Sequence, residues 1–236
     1  PTNVNECVGG LDQMTVAISG GSGLVSYQWQ SSTSGNEPWA NAVGTGSTTN
    51  TFTPPSATPG TTYYRVLVNA SNSDCQQAVS SVVTAIIIPD ITVTTQPTNV
   101  NECVGGLDQM TVAISGGSGL VSYQWQSSTD GNAPWANAVG TGSTTNTFTP
   151  PSVTPGTTYY RVLVNATGSD CQQAVSSVVT AIIIPDITVT TQPTNVNECV
   201  GGLDQMTVAI SGGSGLISYQ WQSSTTGNEP WANEIG

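Results

Sequence analysis

Histidine is absent from this 236-residue chain, and only two side chains, Arg65 and Arg161, are basic. Without imidazole there is no usual general base, no histidine zinc ligand and no Ser-His or Cys-His nucleophile pair. Titratable chemistry is left to carboxylates, tyrosines and thiols. Two basic against fourteen acidic residues give a net charge of −12, which excludes a surface that binds nucleic acid by neutralising phosphates. Long apolar runs are missing too. The longest, Ala85 to Ile88, is far short of the ~20 residues that carry a helix across a bilayer, so no membrane span is expected in this segment. Charged residues make up only 7% of the chain, against 36% hydrophobic residues with six Trp and seven Tyr. That composition can build cores and is not that of a disordered polyampholyte.

What the chain does contain is a repeat. Pro1-Thr2-Asn3-Val4-Asn5-Glu6-Cys7 recurs at Pro97 to Cys103 and again at Pro193 to Cys199, a period of 96 residues with an unfinished third copy. The first two copies differ at five positions: Ser34/Asp130, Glu37/Ala133, Ala57/Val153, Ser71/Thr167 and Asn72/Gly168. Four of these fall in Gly-, Asn- or Ser-rich stretches that read as loops. Solenoid units run to ~20–45 residues, so this period suits an autonomous β-sandwich of ~100 residues instead. Met14 to Ile18 and Val25 to Gln30 alternate, Tyr63 to Val68 is β-branched and aromatic, and Val79 to Ile88 closes the copy. No stretch shows a helical period, so the expected fold class is all-β with essentially no helix. Only Pro89-Asp90 separates Ile88 from the next strand, Ile91 to Thr95. Such a link is too short and stiff to act as a coil, which predicts a head-to-tail rod. The expected modules are 1–88, lacking its first strand, a complete 89–184, and a C-terminally truncated 185–236; such a chain reads as a window on a longer array.

The succession Cys7-Val8-Gly9, Tyr27-Gln28-Trp29-Gln30, Thr62-Tyr63-Tyr64-Arg65-Val66, Asp74-Cys75 and Ser80-Ser81-Val82-Val83 resembles tandem immunoglobulin-like modules. It is most similar to those of giant cell-surface proteins of gliding and marine Bacteroidota, the SprB-like gliding and adhesion filaments. The resemblance covers the whole chain. It implies export, extracellular display on the cell surface, and roles in attachment or gliding motility. It also implies a core built on Trp29 and Trp125, with Tyr64 and Tyr160 at the strand F corner. The positions that hold the inter-sheet disulfide of antibody domains read Val16 and Val66 here, so the core beside Trp29 is expected to be wholly apolar.

The cysteines then need another role. Each full copy has one before strand B (Cys7, Cys103, with Cys199 in the third) and one between strands F and G (Cys75, Cys171). No His and no C-x-x-C accompany them, so zinc and redox-motif readings fail, and paired cysteines point to an oxidising compartment. If the topology is immunoglobulin-like, the two cysteines of one copy lie at opposite ends of the sandwich, roughly 20 Å apart along a strand of six or seven residues. The same topology in a head-to-tail rod places Cys7 beside Cys171. The expectation is therefore a staple between neighbouring modules, Cys7 to Cys171, with partners of Cys75, Cys103 and Cys199 outside this window. The intradomain pairs Cys7 with Cys75 and Cys103 with Cys171 remain open.

Other candidate sites are each matched by a plainer reading. Glu6, Asp90 and Asp170 could meet at the joint as oxygen ligands for Ca²⁺, or be solvated charges. Trp39, Trp135 and Trp231 follow proline in a loop and could stack on sugar rings, or cover the open edge of the sandwich. Asn69-Ala70-Ser71 and Asn165-Ala166-Thr167 match the N-glycosylation pattern. Arg65 and Arg161 are expected to pair with a carboxylate such as Asp12 or Asp108. Together these readings favour a non-enzymatic structural shaft whose partners are neighbouring repeats of the same chain, with homotypic filament assembly as an extension. The rival is a repeated module that binds surface polysaccharide by avidity through the Trp39 loop.

Overall fold

The computed structural model describes residues 1–21, 23–71, 76–167, 171–213 and 215–235. No helix occurs among the described residues. The first copy contains β1 (Val4–Cys7), β2 (Met14–Thr15), β3 (Val25–Ser32), β4 (Ala40–Asn41), β5 (Thr51–Phe52), β6 (Gly60–Ala70), β7 (Ala78–Val79) and β8 (Val83–Ile88). The second adds β9 (Thr92–Thr95), β10 (Val100–Cys103), β11 (Met110–Thr111), β12 (Ala113–Ser115), β13 (Leu120–Ser128), β14 (Ala136–Asn137), β15 (Thr147–Phe148), β16 (Gly156–Thr167), β17 (Ala174–Val175) and β18 (Val179–Ile184). The third holds β19 (Thr188–Thr191), β20 (Ala209–Ser211), β21 (Gln222–Ser223) and β22 (Ala232–Asn233).

Both full copies are built around the same sheet, ordered β1-β8-β6-β3-β4 in one and β10-β18-β16-β13-β14 in the other. β1 and β10 run parallel to β8 and β18, whereas the remaining ladders are antiparallel. The facing layer consists of β2 with β5 in the first copy, and of β11 with β15 and β9 with β12 in the second. This is a tandem immunoglobulin-like sandwich. Its first strand is divided: β9 lies in one layer and β10 in the other. The crossing falls at Gln96-Pro97, where proline has no N–H to offer a ladder.

Alternation along the strands decides which faces meet. In β8, Val83, Ala85 and Ile87 are buried while Ile86 is exposed, the two-residue period of a half-buried strand. Trp29 on β3 and Phe52 on β5 are fully buried, with ring centroids 5.3 Å apart, and Tyr64 on β6 lies 5.1 Å from Phe52. Burial of the indole is compatible with its polar edge because Trp29 Nε1 donates to Thr49 O at 2.9 Å. Val66 pairs with Trp29 across the ladder and is fully buried. Trp125, Phe148, Tyr160 and Val162 repeat the arrangement in the second copy.

Three details differ from the strand expectations, each for a local reason. The run Val79 to Ile88 is broken into β7 and β8. Ser80 accepts at Oγ from Val66 N at 3.0 Å and its own N–H donates to Val66 O at 3.0 Å, so a hydroxyl takes one place in the ladder. Val4 to Cys7, too short and polar to announce itself as a strand, is held parallel to β8. The expected strand Met14 to Ile18 shrinks to Met14–Thr15, although its second-copy counterpart continues as β12. Only there does a neighbouring strand, β9, pair with it. Val16, expected in the core, is accordingly half-buried, whereas Val112 is buried.

Candidate functional site

The distinctive chemistry of the chain lies where the first copy meets the second. Three residues, Pro89, Asp90 and Ile91, separate β8 from β9. Ile91 is buried in the second core, packed with Met110, Val112 and Trp125, so the link is anchored as soon as it leaves the first sheet. Pro89 O accepts from Gly117 N at 2.8 Å, and Asp90 Oδ1 accepts from Gln172 N at 3.0 Å. Beside that contact, Cys7 at the end of β1 is joined by a disulfide to Cys171, with Cα atoms 4.8 Å apart and a sequence separation of 164. Cys7 is fully buried. The bond therefore ties one copy to the next, parallel to the peptide link. Cys75 lies outside the described residues. Cys103 is half-buried at the end of β10, and Cys199 is an exposed free thiol.

The acidic groups do not all converge on this joint. Asp90 is there, with its oxygens close to the two sulfurs, but it is engaged by the Gln172 amide. Glu6 is buried within its own copy, where Oε2 accepts from Asp12 N at 2.8 Å. Its carboxylate packs so tightly against Gly10 that a Cβ there would strike it, which explains why the turn after Cys7 carries glycine. Glu102 repeats this with Asp108 N at 2.8 Å. Asp170 lies outside the described residues.

The tryptophan loops are organised by the two arginines. Arg65 on β6 stacks its guanidinium 4.4 Å from the centre of the Trp39 ring, and Arg161 on β16 does the same to Trp135 at 4.4 Å. Their Nε atoms donate to Gln30 Oε1 and Gln126 Oε1, each at 2.9 Å. Arg65 also reaches Glu37 Oε1 at 3.3 Å; the second copy has Ala133 in place of Glu37. The arginines thus partner a neighbouring tryptophan and glutamine, and the carboxylate that Arg65 meets is Glu37. The expected Asp12 is instead bound through its backbone to Glu6. Both rings are half-buried, with one face taken by a cation, while Trp231 in the third copy is exposed.

Residues 2–89 and 92–185 each match the family described as Domain of unknown function (DUF8696). The chain belongs to the DUF8696 family. No curated protein sequence matches it. Among solved structures, this DUF8696 chain is similar to the Sidekick-1 immunoglobulin domains 1–5 at 12% identity and a TM-score of 0.33, covering 82% of this chain and 42% of that one. It is similar to the titin I-band fragment I67–I69 at 10% identity and a TM-score of 0.49, covering 95% and 82%. It is also similar to the three N-terminal domains of the bacteriophage RB49 Highly Immunogenic Outer Capsid protein at 14% identity and a TM-score of 0.47, covering 78% and 67%. The chain spans only 42% and 52% of the two Sidekick-1 structures it matches. No helix among the described residues of this DUF8696 chain is long and apolar enough to cross a membrane.

Of two partnerships in the DUF8696 chain that its sequence does not name, one carries no signal at all. Asp90 and Gln172 are 82 positions apart and give no pattern in sequence. The Arg65–Trp39 stack was open to inference, since the only basic residue of a copy and a loop tryptophan recur together, but the spacing does not name the partner.

Proposed function

We propose that this chain is a length of stiff shaft in an exported surface filament or giant adhesin, with copies stacked head to tail and locked joint by joint. The observation that carries this reading is the Cys7–Cys171 bond running beside a three-residue link. A short link containing proline already limits bending. A second covalent connection at a separate point converts a hinge into a clamp. Repeating the same joint gives every copy the same rotation relative to its neighbour, so a helical rod follows from repetition alone.

The modules of such a shaft meet near Pro89 and Pro185, and its immediate partners are neighbouring copies of the same chain. Disulfides persist in oxidising compartments, which supports an extracellular setting. The net charge of −12 keeps separate shafts apart at low ionic strength and lets them approach as salt screens them. The SprB-like surface filaments of Bacteroidota are the class of protein this describes, with adhesion itself assigned to other parts of such proteins. The stacked arginine on each loop tryptophan supports a covering role for Trp39 and Trp135 over sugar binding. Small-angle scattering of the oxidised chain tests the shaft: a thin, rod-like profile is expected, and the profile of a floppy coil or one merged globule overturns it.

A further inference from the structure

The joint between the first two copies gathers three donors of the kind that bind metals. Cys7 Sγ, Cys171 Sγ and a carboxylate oxygen of Asp90 lie within 4.8 Å of one another. They come from the end of β1, from the link between the copies, and from the segment between β16 and β17. The absence of histidine and of a C-x-x-C spacing argues against zinc within one copy. Here the donors belong to two copies, and positions 7, 90 and 171 form no short spacing that announces them.

What keeps these donors together does not depend on the bond between the sulfurs. Cys7 is laddered opposite Ile88, and Val8 N donates to Ile88 O at 3.1 Å, which seats the first sulfur beside the start of the link. Gln172 N donates to Asp90 Oδ1 at 3.0 Å, which seats the preceding residue, Cys171, against the same link. Pro89 O accepts from Gly117 N at 2.8 Å and Ile91 is buried in the second core, so the chain is fixed on both sides of Asp90. A joint with thiols in place of the disulfide therefore still presents two sulfurs and one carboxylate to the same space.

That donor set is selective. Thiolates favour Zn²⁺ and softer cations, whereas Ca²⁺ and Mg²⁺ take oxygen ligands. Two sulfurs at ~2.3 Å and one oxygen at ~2.0–2.2 Å fill three corners of a tetrahedron around Zn²⁺. Sulfurs at two of its corners stand roughly 3.8 Å apart, within reach of side chains whose Cα atoms are 4.8 Å apart. Cys7 is buried but Cys171 and Asp90 are half-buried, so one side of the site is open to a cation and to a water at the fourth corner. The Gln172 amide orients the carboxylate through Oδ1, as outer hydrogen bonds do for metal-ligating carboxylates, and leaves Oδ2 for the cation.

We propose that the joint in its thiol form is a Zn²⁺ site made by Cys7, Asp90 and Cys171. On binding, the two S–H protons leave to solvent and two Zn–S bonds take their place. The disulfide form holds no thiolate, so metal and disulfide exclude each other. The two forms clamp the same point, one by coordination and the other by a covalent bond. The inference goes beyond the shaft reading, since it needs the joint between two copies and not a rod.

The test uses the 236-residue chain carrying Cys75→Ser, Cys103→Ser and Cys199→Ser, so that Cys7 and Cys171 supply the thiols. A phosphine opens the disulfide, taking the oxygen of a water to become its oxide and leaving two thiols, and is then removed without admitting air. Co²⁺ is titrated as a coloured stand-in for Zn²⁺. One ion per chain is expected, with sulfur-to-cobalt charge-transfer absorption and the visible bands of tetrahedral coordination, and Zn²⁺ is expected to displace it. Adding Cys7→Ser should remove this one-to-one binding. Asp90→Asn keeps an acceptor for the Gln172 amide, so the fold is retained, and should weaken binding about tenfold or more. The same chain left oxidised should show no charge-transfer band. A reduced chain without thiolate-bound cobalt, or one that binds equally after Cys7→Ser, overturns the site; unchanged affinity in Asp90→Asn overturns the three-donor assignment. Scattering of the oxidised parent reads the shaft separately, so either reading can fail without the other.

Discussion

Removing the staple tests the joint most directly. In Cys171→Ser the two copies remain connected through Pro89 to Ile91 but lose their second link. Closing a loop over the 164-residue separation of Cys7 and Cys171 is worth about 5 kcal/mol in the chain-entropy relation. Unfolding one copy at a time gives a sharper value. If the first copy unfolds alone, the second still holds Cys171 beside Asp90, so the closed loop runs only from Cys7 to Asp90. That loop of roughly 80 residues is worth about 4.5 kcal/mol, and the same reasoning applied to the second copy gives nearly the same figure. Both copies are therefore expected to lose about 4.5 kcal/mol when the bond is absent, which lowers the melting midpoint by on the order of 20 °C. Denaturant titration of oxidised parent, Cys7→Ser, Cys171→Ser and the double variant reads this. The singles should equal each other and the double should add nothing, since either serine removes the whole interaction. Cys199→Ser, changing an exposed free thiol, should be neutral. A loss below about 1 kcal/mol in the single variants, or additive losses in the double, refutes the reasoning, because the bond would then not be what restrains the unfolded chain.

Four further outcomes are expected. Trp29→Ala removes the fully buried centre of the first core and should cost about 3–5 kcal/mol, read by urea titration of that copy. Gly10→Ala drives a methyl into the Glu6 carboxylate and should cost about 1–3 kcal/mol, with the second copy unaffected. Arg161→Ala should cost about 0.5–1 kcal/mol through the lost Trp135 stack at any salt; Arg65→Ala should cost slightly more at low salt, with the excess vanishing near 1 M as its Glu37 pair is screened. Burial raises the Tyr64 and Tyr160 hydroxyls above their ordinary pKa of 10.0, against smaller opposing hydrogen bonds from Thr62 and Thr158. Above pH ~10 the unfolded chain then binds fewer protons than the folded one, so stability is full below that pH and falls as pH rises; an alkaline melt series that stays flat contradicts this.

Much of the fold could be read from residues alone because it rests on local pattern. Alternation around Trp29 and the β-branched run at Tyr63 to Val68 mark central strands, and the period of 96 marks the units. What escaped was set by partners distant in sequence. The division of the first strand between layers is not legible in Ile91 to Thr95, since which sheet takes a short strand depends on what lies beside it. Ser80 reads as one more residue of a strand until its hydroxyll is seen to stand in for a backbone group at Val66. The joint shows the same boundary. A two-cysteine copy announces disulfides, and an immunoglobulin-like topology narrows their reach, but the Asp90–Gln172 contact beside the bond depends on how two copies abut. Glu6 likewise reads in sequence only as an acidic residue near the joint, and its hydrogen bond to the Asp12 amide in the loop after its own strand depends on how that loop folds back.

In the proposed shaft, stiffness at the joint has a hydrophobic source as well as a covalent one. Ile88 ends the last strand of the first copy, and Ile91 is already in the core of the second. The strand that follows the link is thus part of the next sandwich and not a tether leading to it. Bending the joint by freeing even the last residue of the link exposes Ile91, at about 1.5–3 kcal/mol for a side chain of this size, and breaks the Pro89 and Asp90 contacts with it. The staple makes that opening harder still, because it holds Cys7 to the far side of the same contact. Reduction alone should therefore leave a joint that is weaker but still straight, whereas Ile91→Asp should produce a hinge even with the disulfide intact. Scattering from the two samples separates the contributions. A reduced parent as flexible as Ile91→Asp would mean that the buried isoleucine restrains nothing and the covalent bond alone sets the geometry.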